Sequence, residues 1–154
     1  EETIPMAGWL KRAIERVDPL VKQRQLWLQV HREGNGTLQG DRVKLELVLY
    51  EVLVAACYRC DKGGRIDVWC RVLDHQKLDV SLTDNGKLDP RLVRDLQTSD
   101  RPDLLAPSPC DRPPYLYLAI CQQLMRQMGG DFMLYTLDDG RNISRLLLSL
   151  NQRN

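Results

Sequence analysis

Two carboxylates stand out in this sequence because each lies among apolar residues. Asp84 follows an alternation of apolar residues over positions 78–82, so its side chain should share their face at the end of a strand. Glu51 is the only charged residue between Leu47 and Tyr58. A carboxylate directed at a core needs a partner or a cavity, because an unpaired buried charge is unfavourable.

These two acids fit one of two arrangements. Glu51 on a buried helix, beside a turn at the end of a strand formed by Asp84, Asn85 and Gly86, would suit a nucleotide pocket. In the simpler alternative, Glu51 lies on a solvated helix stripe and Asp84 only begins a turn. The residue pattern alone favours the simpler alternative.

The cysteines predict no metal or redox site. Cys57 and Cys60 have C-x-x-C spacing, but a zinc site needs two further ligands, and none has metal-site spacing here. Redox pairs usually stand at the start of a helix, whereas this pair ends one. We expect Cys57 to act as a small core residue.

Neither histidine has the setting of a phosphoacceptor. His31 ends a predicted strand and His75 lies in a predicted hairpin turn. A phosphoacceptor histidine is expected on a helix, so such a helix either precedes residue 1 in the full protein or is missing altogether.

The composition is that of an ordinary globular domain. Its 154 residues are 43% apolar and 28% charged, which argues against disorder and fibrous repeats. A formal net charge of +1 provides no basic field for nucleic acid, and no apolar run approaches the ~20 residues of a membrane helix. The five cysteines predict a reducing cytoplasm, and the missing initiator Met predicts a chain cut from a longer protein.

Apolar periodicity predicts the elements that position these residues. Helices are expected over 7–24, from an N-cap at Asp41 to a stop at 62–64, over 89–97 and over 115–128; strands over 26–31, 66–72, 78–84, 131–138 and 142–150; and a long surface loop over 97–114. Pro19 should bend or break the first helix. The order predicts an α/β (α+β) two-layer sandwich, with three main helices on one face of a mixed, mostly antiparallel sheet.

Two finer expectations concern faces. The last helix should bury a stripe of Leu116, Ile120, Leu124 and Met128. The tryptophans at 27 and 69 fall on the sheet face opposite the core, where they would mark a partner surface or be covered by a linker segment.

Four segments resemble, in order, the ATP-binding catalytic domain of sensor histidine kinases, the Bergerat or GHKL fold. They are VLYEVLVAAC at 48–57, VSLTDNG at 80–86, LAICQQLMRQMGG at 118–130 and LLLSL at 146–150. The segment 118–130 is the most specific, because it is close to the family's L-A-I-x-x-x-L-V-x-x-M-G-G helix. The resemblance spans nearly the whole chain and implies that fold.

The resemblance also implies roles for individual residues. Glu51 stands where the family has a candidate base for activating the acceptor histidine. Asp84 corresponds to the aspartate that accepts a hydrogen bond from the adenine amino group, with Asn85 and Gly86 beside it in the adenine pocket. Ala55 replaces the asparagine that binds Mg²⁺, and a methyl group cannot ligate a cation that requires oxygen donors.

The family's phosphate-binding features are replaced. Pro113, Tyr115 and Tyr117 stand at the three glycines of the family's lid motif. Proline lacks an amide donor, and tyrosine fills space that a triphosphate would need. Leu88 replaces the second glycine of the D-x-G-x-G motif, and Ile143 falls where the family has a pocket threonine.

We therefore expect a degenerate (pseudo) histidine kinase domain of a two-component-type signalling protein, with no catalytic residue, no metal and no bound cofactor. Asp84, Asn85 and Gly86 would form a vestigial adenine pocket. In one alternative the domain is an active kinase with an atypical lid, binding ATP and Mg²⁺ with Glu51 as base. In another, the Asp84 pocket takes a nucleobase or a metal-free nucleotide.

The expected organisation is a single domain over 1–154 at the C-terminus of a longer cytoplasmic signalling protein. Residues 1–24 would be a linker or first helix, and residues 97–114 a remnant of the ATP lid. The expected partners are a signalling protein or other domains of the same chain, with no nucleic acid and no membrane contact.

Overall fold

The computed structural model describes residues 2–97 and 107–150. Its helices are α1 (Met6–Gln23), α2 (Arg42–Arg59), α3 (Pro90–Gln97) and α4 (Tyr115–Gln127), with a 3₁₀ turn at Pro109–Asp111. Its strands are β1 (Glu2–Pro5), β2 (Trp27–Glu33), β3 (Thr37–Gly40), β4 (Arg65–Leu73), β5 (Lys77–Asp84), β6 (Asp131–Thr136) and β7 (Asn142–Ser149).

Five strands form one sheet in the order β2-β4-β5-β7-β6. The pair β2-β4 is parallel and the other three pairs are antiparallel. The helices pack on one face of this sheet, so the predicted two-layer arrangement on a mixed, mostly antiparallel sheet is confirmed. The short helix α3 adds to the three main helices.

The strand alternation places the core as the sequence predicts. Ile66, Val68 and Cys70 of β4 and residues 78, 80 and 82 of β5 are fully buried. Trp9 of α1 is also fully buried, and its indole Nε1 donates to the carbonyl oxygen of Leu45 at 2.9 Å. This bond satisfies the indole N–H while the ring fills the space between α1 and α2.

Helix α2, which carries Glu51, is capped by a side chain at each end. The Asp41 carboxylate accepts from the backbone N–H of Lys44 at 3.2 Å, as the predicted N-cap requires. At the other end Arg24 donates to the carbonyl oxygens of Cys57 and Cys60, at 3.0 and 2.9 Å. A cation at the C-terminal end of a helix also interacts favourably with the helix dipole.

The observed elements differ from the prediction in three respects. Strands β1 and β3 form a separate two-stranded antiparallel sheet that was not predicted. Helix α1 continues through Pro19, so the break that was one of the two predicted effects does not occur. Pro19 is exposed, so the lost backbone hydrogen bond lies on the solvent side. Helix α4 buries Leu118, Cys121 and Met125, whereas Ile120 is exposed.

The corrected face of α4 follows from its neighbours. The helix packs against both α2 and β6. Its buried stripe therefore lies about one position along the helix from the stripe that the sequence predicted. Of the predicted loop over 97–114, residues 98–106 lie outside the described part of the chain. No helix in the described part is long and apolar enough to span a bilayer.

Candidate functional site

The Asp84 carboxylate lies at the end of β5, and its side chain is completely buried. Its Oδ2 accepts from Nη2 of Arg59 at 2.7 Å. Its Oδ1 accepts from Nδ2 of Asn142 and from the backbone N–H of Gly86, both at 2.9 Å. Both carboxylate oxygens are therefore engaged by groups of this chain.

Arg59, the last residue of α2, is the partner that the sequence did not reveal. Its side chain is completely buried, and Nη2 also donates to Oγ of Ser144 at 3.0 Å. Its Nε and Nη1 are buried and find no hydrogen-bond acceptor in the described part of the chain. The guanidinium charge is thus compensated mainly by Asp84.

The turn that follows Asp84 contacts the end of α2 and the start of β4. Oδ1 of Asn85 accepts from the backbone N–H of Arg65 at 3.1 Å. A Cβ on Gly86 would lie 2.6 Å from the carbonyl carbon and oxygen of Arg59, so only glycine permits this approach. The backbone N–H of Lys87 also donates to the Arg59 carbonyl at 3.2 Å.

The residues of β7 that meet this network are Asn142 and Ser144, not Ile143. Residues 142, 144, 146 and 148 are buried, whereas Ile143 belongs to the opposite face of the strand. The expectation that Ile143 occupies a pocket position is therefore corrected by one residue. The sequence did contain a signal for this face of the strand. Leu146 and Leu148 are alternate apolar residues, and the same alternation continued towards the N-terminus places Ser144 and Asn142 on their face.

Glu51 occupies a different environment from Asp84. It is half-buried on α2 and lines an open cleft of about 470 Å³ between α2 and the start of α4. The cleft is lined by Tyr50, Glu51, Val54, Tyr58, Pro113, Pro114 and Tyr117. Asp84 is not among the described residues that line this cleft.

Burial raises the pKa of Glu51 above its ordinary value of 4.5, and the nearby Arg16 opposes part of this change. A raised pKa in the folded state means that Glu51 contributes stability at low pH, which is lost as the pH rises through the folded-state pKa. We therefore expect the Glu51→Gln variant to gain stability relative to the unchanged chain as the pH rises from about 4 to about 7.

Urea unfolding of both proteins across that range measures this difference. Parallel stability curves for Glu51→Gln and the unchanged chain would contradict the assignment of a buried, destabilised carboxylate.

The residues predicted to replace the lid glycines lie at or just before the start of α4. Pro114 precedes the helix, Tyr115 is partly buried against the core, and Tyr117 is 40% exposed along the cleft. Ala55 is fully buried one turn after Glu51 and presents only a methyl group. Among the described residues, the cleft is thus lined by tyrosine rings, prolines, one valine and one carboxylate.

Within the described residues, the other candidate groups form no metal cluster and no reactive thiol. No group of three or more potential metal ligands occurs within residues 2–97 and 107–150. Cys57 and Cys60 are free, buried thiols, and burial raises their pKa values to about 12 and about 11. Thiols with such pKa values are poor nucleophiles at neutral pH.

The sheet face opposite the helices carries an aromatic cluster. The His31 ring stacks on Trp69 at a centroid distance of 3.9 Å, and its Nε2 lies 2.9 Å from Oδ1 of Asp67. The Arg71 guanidinium lies 4.9 Å from the Trp69 ring centre, while Trp27 is 73% exposed. Both tryptophans therefore lie on the face opposite the core, as predicted.

Comparison with solved structures identifies the fold. The chain superposes on a mycobacterial sensor histidine kinase, MprB, with a TM-score of 0.76 and 21% identity over 99% of this chain and 100% of that one. It superposes on the nucleotide-free catalytic domain of histidine kinase ThkA with a TM-score of 0.77 and 12% identity over 97% and 96%.

The cytoplasmic segment of histidine kinase QseC gives a TM-score of 0.67 and 16% identity over 99% of this chain and 78% of that one. The sequence matches no protein-family model and no curated protein. The fold is therefore that of histidine kinase catalytic domains.

Proposed function

We propose that this chain is a degenerate histidine kinase ATP-binding domain that acts by protein interaction or conformational regulation and transfers no phosphate. The observation that carries the proposal is the buried ion pair between Arg59 and Asp84, with its N–O distance of 2.7 Å. By the resemblance, the Asp84 carboxylate would have to accept the adenine amino group. Here the same carboxylate accepts three hydrogen bonds from the chain itself.

A nucleobase would have to compete with Arg59 for the Asp84 carboxylate, which is completely buried. Removing the partner of a buried charge is strongly unfavourable, and the displaced guanidinium would itself need a new partner. The energy of one new hydrogen bond to the adenine amino group does not compensate for this loss. Arg59 therefore acts as an internal occupant beside Asp84.

The phosphate side of the site supports the same proposal independently. Phosphoryl transfer needs a metal to neutralise the developing charge and donors that position the γ-phosphate. Ala55 offers no oxygen ligand, and Pro113 and Pro114 offer no backbone N–H. Tyr117 lines the cleft where bare backbone would be required.

A signalling role without phosphotransfer requires a partner. One solved structure with this fold, at a TM-score of 0.76 and 12% identity over 97% of this chain and 42% of that one, is ThkA in complex with the response regulator protein TrrA. On this basis we assign the present domain, over residues 1–154, a signalling protein or a neighbouring domain of its own chain as its partner. Its place would be within a longer cytoplasmic protein.

Isothermal titration with ATP and Mg²⁺ tests the proposal, and we expect no saturable binding up to about 1 mM nucleotide. An active histidine kinase catalytic domain, titrated under the same conditions, is the positive control. Micromolar binding would contradict the proposal and favour an active kinase with Glu51 as base. Thermal stabilisation by adenosine without Mg²⁺ would instead support the metal-independent pocket.

A further inference from the structure

The open cleft between α2 and the start of α4 combines groups that recognise cations. Tyr50, Tyr58 and Tyr117 contribute phenol rings, and Glu51 contributes the one carboxylate of its lining. Aromatic ring faces attract cations through the ring quadrupole, and they do so most strongly in partly desolvated sites. With a volume of about 470 Å³, the cleft admits a long side chain.

The tyrosines of this cleft already accept guanidinium groups from the chain itself. The Arg16 Cζ lies 4.0 Å from the ring centre of Tyr50, and the Arg24 Cζ lies 5.2 Å from that of Tyr58. No such cation lies over Tyr117 in the described part of the chain, and this ring is 40% exposed. Tyr117 is thus the ring of the cleft that remains available.

The Glu51 carboxylate is available in the same sense. Among residues 2–97 and 107–150 it forms no hydrogen bond and no ion pair within 4 Å, and Arg16 acts on it only through its electrostatic field. A half-buried carboxylate without a bonded partner gains from an incoming donor, especially a planar guanidinium that donates twice. Charge complementarity therefore selects a cation over a neutral or anionic group.

We propose that this cleft is the docking site for an arginine side chain of a partner protein. The guanidinium would lie on the face of Tyr117 and donate to the Glu51 carboxylate, while Pro113 and Pro114 form a rigid wall. The inference rests on the proposed function in one respect, namely that nucleotide does not fill the cleft. It specifies the chemistry of the partner that the proposed function requires.

The experiment titrates the ¹⁵N-labelled chain with the capped peptide Gly-Gly-Arg-Gly-Gly and with its citrulline counterpart, which has the same shape and no charge. We expect saturable shifts at residues 50–58 and 113–117 for the arginine peptide, with about tenfold weaker binding of the citrulline peptide. Glu51→Gln and Tyr117→Ala should each weaken binding about three- to tenfold. Tyr135→Ala, on β6 and outside the cleft, is the matched control and should bind as the unchanged chain does.

Several outcomes would overturn the inference. These are equal affinity for the citrulline peptide, absence of saturable shifts at about 10 mM peptide, or shifts centred on the Trp69 face instead of the cleft. Self-association of the chain that Glu51→Gln abolishes would also overturn it, because the occupant would then be a second copy. A parallel ATP titration keeps the two proposals separate: micromolar ATP binding, with arginine binding that persists at saturating ATP, contradicts only the proposed function.

Discussion

Replacing Asp84 by alanine is expected to lower the free energy of unfolding by about 3–5 kcal/mol. The substitution leaves the Arg59 guanidinium completely buried, with the Ser144 hydroxyl as its only acceptor among residues 2–97 and 107–150. It also removes the acceptor for the Gly86 backbone N–H and one of the two acceptors of the Asn142 amide, which keeps the Gly86 carbonyl oxygen. Urea unfolding followed by circular dichroism measures the change.

A double-mutant cycle tests whether the ion pair itself is responsible. Arg59→Met alone should also be strongly destabilising, because it leaves the Asp84 carboxylate buried without its cation. The cycle uses Asp84→Asn as its second single variant, so that the double variant Arg59→Met with Asp84→Asn combines the same two changes. The double variant should be less destabilised than these two single variants summed, by at least about 2 kcal/mol. The asparagine Oδ1 can still accept from Gly86.

An exposed ion pair is the control for this cycle. Glu15→Ala removes a carboxylate that lies 3.9 Å from Lys11 at the surface of α1, and its effect should stay within about 0.5 kcal/mol. Additive effects of the Arg59 and Asp84 substitutions would show that the two side chains are not coupled. That result would remove the main support for the proposal that Arg59 acts as the internal occupant beside Asp84.

The local pattern of the sequence was sufficient for most of the fold. The two central strands were predicted from alternation over 66–72 and 78–84, and α2 was predicted from helical spacing over 45–56. In each of them the buried face can be found from residues that are close in sequence. Strands β1 and β3 were missed because each has four residues and they pair across about 35 positions of sequence. Such short strands carry too few alternating positions to be distinguished from loop.

The candidate site was predictable only in part. The inward direction of Asp84 followed from strand parity, and the structure places the side chain on that face. Its partner Arg59 is 25 residues away in the sequence, at the end of a mostly apolar helix. No local pattern therefore identified Arg59 as the partner of Asp84. The roles of Asp84, Asn85 and Gly86 in binding adenine stay predictions, as does that of Glu51 as a base.

Gly86→Ala should lower the free energy of unfolding by about 3 kcal/mol, the upper end of the range for overpacking. The new Cβ would meet the backbone carbonyl of Arg59 at 2.6 Å, and backbone atoms cannot move aside as a flexible side chain can. The shift would also disturb the hydrogen bond from Lys87 to that carbonyl. Thermal and urea unfolding measure the loss.

The same chemical change at Gly8 is the matched control, with the opposite sign expected. Gly8 lies in α1, where a Cβ would meet only the flexible end of Arg12, at 3.4 Å. Alanine there should stabilise the chain by about 0.5–1 kcal/mol, because glycine is unfavourable within a helix. Equal effects at Gly8 and Gly86 would contradict the close approach of the turn to α2.

A large loss at Gly86 would change how the Asp-Asn-Gly sequence is interpreted. Asp84 neutralises Arg59, Asn85 accepts from the backbone of Arg65, and Gly86 permits the turn to contact the end of α2. Each of these roles stabilises the fold in the absence of any ligand. The retention of all three residues is then explained by folding alone, and the motif by itself is no evidence that this domain binds nucleotide.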